Sequence, residues 1–138
     1  MKAITIWQPW ASLIAIGAKE YETRSWSTNY RGPIAIHAAK KEPMINGLPE
    51  IIQKAVRAVF HKRYGSRLVD PTPTGCIVAV AELVEVIRTK DHLPSEQEEM
   101  FGDWSPGRFA WKFANVTILS NPTPVSGRQG LWDWEETP

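Results

Sequence analysis

The run from Thr74 to Ile87 constrains the fold of this chain more than any other segment, because it is apolar on both of its alternating faces, interrupted only by Glu82 and Glu85. A strand buried on both sides belongs in a barrel or at the centre of a sheet, so other elements must cover it twice. The sequence supplies those covers. Ala3 to Trp7 is a β-branched run of period two, and Tyr21 to Trp26 and Gly32 to Ala38 are the next strand candidates. Arg108 to Leu119 alternates with Phe109, Trp111 and Phe113 on one face, and the closing SGRQGLWDWEE places Trp132 and Trp134 at alternate positions.

Helical signals occur twice. Gln8-Pro9 opens a short helix with Pro9 at its first position and Gly17 just past its end; between them only Ser12 is polar, so this helix is buried nearly all round. Leu48, Ile51, Ile52, Ala55, Val56, Val59 and Phe60 recur at helical spacing and define a second helix that Gly65 ends. Lys90 to Pro106 reads as a polar connection, acidic around Glu96, Glu98 and Glu99. Eleven prolines, Pro138 among them, punctuate short elements with rigid turns. The expectation is one α+β domain over residues 1–138, a mixed β-barrel of about five or six strands with two or more flanking helices.

Composition narrows the functional classes. A chain of 138 residues buries one core, its net charge of +1 gives no global pull toward polyanions, and a hydrophobic fraction of 43% excludes a disordered chain. The single cysteine, Cys76, cannot form an internal disulfide, and no His/Cys group has metal-ligand spacing. No cofactor, no metal and no membrane partner are expected, and the absence of a signal-type start or of an apolar run near ~20 residues points to a cytoplasmic, unprocessed chain.

The segment Gly17-Ala18-Lys19-Glu20-Tyr21-Glu22-Thr23-Arg24 does not fit a plain core strand. As a strand it puts Glu22, Arg24 and Trp26 on one face and Tyr21, Thr23 and Ser25 on the other. Lys19, at the exit of a buried helix, is either a base or nucleophile made available by desolvation or a cap for the last helix carbonyls. Glu22 and Arg24 form either a structural pair or a proton carrier beside an anion-binding fork. The start of the first helix is a candidate anion site, with Trp10 to stack on a base and Gln8 to read one; Trp7 reads as core. Glu82 is a candidate site carboxylate or the point where its strand reaches solvent. Glu98 reads as part of a solvated acidic run, and His37 as a hydrogen-bonded core histidine. Lys54, Arg57, Lys62, Arg63 and Arg67 are either a basic patch for a phosphate backbone or an ordinary solvated face.

Together, Gln8-Pro9-Trp10-Ala11, the Gly17, Lys19, Glu22, Arg24 set in a G-x-K-x-x-E-x-R pattern, Arg31 to Ala38, Gly75-Cys76-Ile77 and Gly130-Leu131-Trp132 resemble the ASCH domain family of the PUA-like group. The resemblance covers most of the chain. It implies a PUA-type barrel in which Lys19, Glu22 and Arg24 face a cleft beside the short helix, and recognition of RNA or a modified nucleoside. Relatives carry two activities, amide hydrolysis of N4-acetylcytidine, in a bacterial amidohydrolase, and cleavage of single-stranded RNA. In the amidohydrolase a lysine, a threonine and a glutamate act. The lysine matches Lys19, the threonine falls at Glu22 with Thr23 adjacent, and the glutamate is most similar to Glu98.

Three functional classes follow. The leading one is an RNA or modified-nucleoside binding domain whose cleft uses Gln8, Trp10, Lys19, Glu22, Arg24, Trp26 and Glu82. The second is a hydrolase at the same place, with Lys19, Glu22, Thr23 and Glu98 as catalytic candidates and the helix start stabilising an oxyanion. The third is a protein-interaction module that presents an exposed tryptophan surface.

Overall fold

The computed structural model describes residues 1–136, so Pro138 lies outside the described residues. Six strands form one sheet: β1 (Lys2–Ile6), β2 (Tyr21–Arg24), β3 (Gly32–Ala38), β4 (Cys76–Arg88), β5 (Phe109–Pro124) and β6 (Leu131–Asp133). Their order across the sheet is β2-β5-β4-β3-β1-β6, with β1 and β3 parallel and the other neighbours antiparallel. Three helices accompany it, α1 (Trp10–Ala15), α2 (Glu50–Tyr64) and α3 (Glu96–Met100). The doubly apolar run is thus an interior strand, β4, although its burial ends after Leu83 and its last residues emerge toward solvent.

Register shifts in the β3–β4 and β4–β5 ladders, at Ile36/His37, Ile77/Ala79, Val80/Glu82 and Leu83/Glu85, bend the sheet into a half-barrel. One face carries Ile4, Ile6, Ile34, Ile36, Val78, Leu83, Trp111 and Phe113, packed on Ala11, Ile14 and Ala15 of α1. The other face is closed by Trp132 and Trp134 over Ala3, Ala35 and Ile77. Burying each such aliphatic side chain contributes about 1.5–3 kcal/mol, which is why α1 is apolar nearly all round. A smaller cluster of Leu13, Val56, Phe60 and Phe101 holds α2 and the residue after α3 against α1.

Two expectations shift. Helix α1 begins at Trp10 with Pro9 one position before it. The connection from Lys90 to Pro106 is not merely polar loop: a 3₁₀ turn at Thr89–Asp91 leads into it and it contains α3, capped by the Ser95 hydroxyl accepting from Glu98 N. A helix of five residues leaves too little periodic signal to be legible.

Candidate functional site

Gly17 sets the geometry of the site. At φ +80° it closes α1 in a Schellman turn, with Gly17 N donating to Ile14 O and Ala18 N to Leu13 O, both at 3.0 Å. The chain then doubles back so that Lys19 enters the interior. Its side chain is 1% exposed, and Nζ donates to Phe101 O at 2.6 Å and lies 3.9 Å from Glu22 Oε1. Lys19 therefore fastens the segment after α3 rather than capping α1. Burial lowers its pKa from the ordinary lysine value, opposed by the carboxylates of Glu22 and Glu98. Gly102 leaves room for this ammonium: a Cβ there would stand 3.4 Å from Lys19 Nζ and 3.3 Å from Trp104 Nε1.

Alternation along β2 turns Tyr21 and Thr23 inward and leaves Glu22 and Arg24 half-buried. Glu22 Oε2 accepts from Arg24 Nη2 at 3.2 Å, and the same Nη2 donates to Thr5 O at 2.6 Å. Pairing of β2 with β5 sets Arg24 opposite Phe109, which brings Arg108 to the same wall. Arg108 Nη2 donates to Thr23 O at 3.1 Å, and its Nε lies 3.6 Å from Asp103 Oδ2. Asp103 is held below the usual carboxylate range, chiefly by the Ser105 hydroxyl and backbone N–H, so it stays charged. Among the described residues, Arg24 Nε and Arg108 Nε are the buried side-chain polar atoms left without a partner.

These groups line an open cavity of about 490 Å³ with Trp7, Trp10, Leu48, Ile52, Met100, Phe101 and Gly102. Trp10 is half-buried, its ring 6.0 Å from that of Phe101. Trp7 is 50% exposed, with Lys41 Nζ 3.7 Å from the centre of its ring. The expectation that Trp7 fills the core is therefore corrected. Period two could have revealed this, because Ile4 and Ile6 point to the core and the alternate positions Thr5 and Trp7 do not.

Several expected site residues are placed elsewhere. Gln8 is wholly buried: its amide nitrogen donates to Ser12 Oγ at 2.6 Å and Pro73 O at 2.8 Å, and its oxygen accepts from Ser12 N at 2.9 Å. Nothing on it is free to read a base. The start of α1 is closed as an anion or oxyanion site, since Ala11 N, Ser12 N and Leu13 N are bonded to Trp7 O, Gln8 Oε1 and Pro9 O. Trp26 lies beyond the end of β2 and packs edge-on against Trp111 at 4.8 Å, its carbonyl accepting from Trp111 Nε1. Glu82 is exposed on β4, accepts from Asn115 Nδ2 at 3.2 Å, and does not line the cavity.

Glu98 is buried, not part of a solvated run. Its carboxylate accepts from Glu20 N at 2.7 Å and Tyr21 N at 3.4 Å, so it clamps the start of β2. Burial raises its pKa, against the pull of those N–H groups and of Lys19. Thr23 lines the cavity and is 6% exposed. Of the expected residues, the structure gathers Trp10, Glu22, Thr23 and Arg24 on the cavity wall with Lys19 behind it; Arg108 and Asp103 were not foreseen, because a strand partner cannot be read from one sequence. His37 is the expected core histidine. The basic residues of α2 are exposed, Lys54 pairing with Glu50 and Arg57 bonding to Gln53 and Asn46. The tryptophan surface is absent among the described residues, since Trp7 alone of the seven is strongly exposed and it stands at the cleft. No group of His, Cys, Asp and Glu suited to a metal ion occurs among the described residues, and no described helix is long and apolar enough to cross a membrane.

A mixed, bulged six-stranded half-barrel with three helices and a charged cleft between α1, β2 and the segment after α3 defines an α+β half-barrel class of domain. The sequence profile of the ASCH domain matches residues 4–123, and the chain belongs to that family. It is 28% identical to activating signal cointegrator 1 of Homo sapiens and to that of Mus musculus, in each case over 94% of this chain and 21% of the relative. The chain thus spans about a fifth of the length of these curated relatives. Its fold matches the crystal structure of ASCH from Zymomonas mobilis with a TM-score of 0.57 at 13% identity, covering 98% of this chain and 87% of that one. A substituted variant of the same protein matches at 0.56 and 13% identity, covering 98% and 88%.

Proposed function

We propose that this domain binds single-stranded RNA or a modified ribonucleoside in the cleft lined by Trp7, Trp10, Glu22, Arg24 and Arg108. The observation that carries this reading is that two tryptophans, one of them half in solvent, and two arginines line the same cavity. Aromatic faces accept any base, and a guanidinium fork held by a backbone carbonyl supplies directed donors at little entropic cost. Membership of the ASCH family, reached independently from the sequence, points the same way. Titration of short single-stranded RNAs and cytidine derivatives tests it: Arg24→Ala should bind roughly tenfold more weakly, the loss of one charged hydrogen bond. Equal affinity for both proteins would reject this cleft.

A hydrolase reading is favoured by one specific observation, the buried Lys19 whose pKa is lowered beside Glu22. In it, water and N4-acetylcytidine give cytidine and acetate, with Lys19 as the amine that attacks or takes a proton. Glu22 rather than Glu98 carries the proton, because Glu98 is engaged by the β2 backbone. Chromatography of N4-acetylcytidine incubations decides this: the reading requires turnover that Lys19→Ala abolishes. The ribonuclease form requires RNA cleavage lost in Glu22→Gln.

A further inference from the structure

We propose that Arg24 and Arg108 form a phosphate subsite, so that the cleft takes a phosphorylated nucleotide or the backbone of an RNA strand rather than a free nucleoside. This deepens the proposed function and rests on it. Each guanidinium is fixed from behind by a backbone carbonyl, Arg24 through Thr5 O and Arg108 through Thr23 O, at 2.6 and 3.1 Å. Each also retains donor capacity that the protein does not use: no hydrogen bond from either Nη1 is present among the described residues, while the Nε atoms are sealed from solvent and make no hydrogen bond, Arg108 Nε having only its 3.6 Å ion-pair contact with Asp103. Two forks on one cavity wall, anchored and under-satisfied, match an anion with three or more acceptor oxygens. A neutral base or ribose would leave much of this capacity unused.

The local charges fit an exchangeable counter-ion. Glu22 contacts Arg24 at 3.2 Å and is largely buried, so one guanidinium is already balanced. Asp103 contacts Arg108 only at 3.6 Å, and its side chain is 60% exposed. Asp103 is therefore the weaker ion pair and the one a phosphate displaces. Arg108 supplies the more loosely compensated charge, with Trp7 and Trp10 lining the same cavity to receive the base.

The test is calorimetric titration of the whole domain with the four ribonucleosides, their 5′- and 3′-monophosphates, inorganic phosphate, and matched hexameric single-stranded RNA and DNA. For at least one base, the wild type should bind a monophosphate about tenfold or more tightly than the nucleoside. Arg108→Ala should erase that difference, and Arg108→Lys should restore only part of it, because a point charge cannot reproduce the fork. Asp103→Asn, which keeps the acceptor for Ser105 but removes the charge, should increase monophosphate affinity several-fold, and by more than it changes nucleoside affinity. Circular dichroism establishes that each variant is folded, and the Asp103→Asn gain is a readout that a damaged fold cannot produce. Inorganic phosphate should compete with the monophosphates; competition without any base-dependent gain would mean a bare anion site and overturn the nucleotide assignment. Equal binding of nucleoside and monophosphate by the wild type, or a difference that survives Arg108→Ala, overturns the subsite while leaving the RNA-binding cleft standing. Tighter binding of the DNA hexamer keeps the subsite and rejects the ribose selectivity of the proposed function. Binding of no nucleic-acid ligand at all rejects both.

Discussion

Thr5 belongs to two polar clusters that differ in what they leave unsatisfied. Toward the Trp132 face its hydroxyl meets His37 Nδ1 and accepts from Trp132 Nε1, each at 3.1 Å, while His37 Nε2 donates to Val125 O at 2.7 Å. Because Val125 offers only a carbonyl, the imidazole carries its proton on Nε2 and accepts the Thr5 hydroxyl on Nδ1. Every polar atom in that chain has a protein partner. Toward the cleft, the Thr5 carbonyl holds Arg24, and the guanidinium nitrogens beyond it run out of partners. A closed network is how a fold satisfies the polar groups it buries; an open one at the wall of a cavity is where a ligand can complete the set. The lesson lies in contrast rather than in composition, since both clusters draw on threonine, tryptophan and a basic side chain.

Removing Trp132 should have the largest effect and should be confined to stability. The ring is 7% exposed, packs T-shaped on His37 at 5.5 Å and covers Ala3 and Ala35. Trp132→Ala should cost about 3–5 kcal/mol in denaturant unfolding, the range for deleting a large buried aromatic. RNA affinity of the molecules that remain folded should change little. A large loss of affinity without loss of stability would show that this cluster, too, serves the ligand.

Trp7→Ala is the mirror experiment. With half of its surface already in solvent, the ring adds little to the core, yet it stands on the cavity wall. The substitution should weaken single-stranded RNA binding by about 1–3 kcal/mol, the usual value of one stacked base. The unfolding midpoint should hardly move. Retained affinity would restrict the stacking role to Trp10.

The two sides also differed in how legible they were. The closed side is written in local patterns: the apolar strand Gly32–Ala38, the alternate Trp132 and Trp134, and a histidine alone among apolar neighbours all identify core. Gly17 likewise marks the turn that buries Lys19. On the open side, the Glu22 and Arg24 face was readable from alternation, but its partners come from far away in the chain. Arg108 reaches Thr23 across 85 residues, and Phe101 reaches Lys19 across 82. Gln8 and Glu98 show the converse: a polar residue near a charged motif looks functional in sequence, whereas here the backbone consumes its capacity, through Ser12 and Pro73 in one case and Glu20 and Tyr21 in the other.

Acid should destabilise the closed cluster through His37. Burial lowers the His37 pKa below the ordinary value of 6.5, opposed by its bond to Val125. In the window from the folded pKa up to 6.5, the unfolded chain binds the proton and the folded chain does not, so stability rises with pH there and is lost as pH falls. One proton sets the slope at no more than about 1.4 kcal/mol per pH unit. Denaturant midpoints between pH 7 and 5 should drop for the wild type and drop less for His37→Gln. Identical pH profiles would mean that the imidazole is as easily protonated in the fold as outside it.

The smallest expected effect separates a carboxylate that belongs to neither cluster from those that do. Glu82 is exposed on β4, opposite Pro33 and Ala114, and its one partner is the equally exposed Asn115 at 3.2 Å. Water solvates that carboxylate as well as the amide does, so Glu82→Gln should change stability by no more than about 0.5 kcal/mol. It should also leave RNA affinity within the error of the titration, because Glu82 does not line the cavity. Glu22→Gln is the matched control. It removes charge from a residue that faces both Lys19 and Arg24, so ligand affinity should shift there. If Glu82→Gln moved binding as much as Glu22→Gln, the ligand would have to extend over the outer face of β4, and the cleft would be only one part of its path.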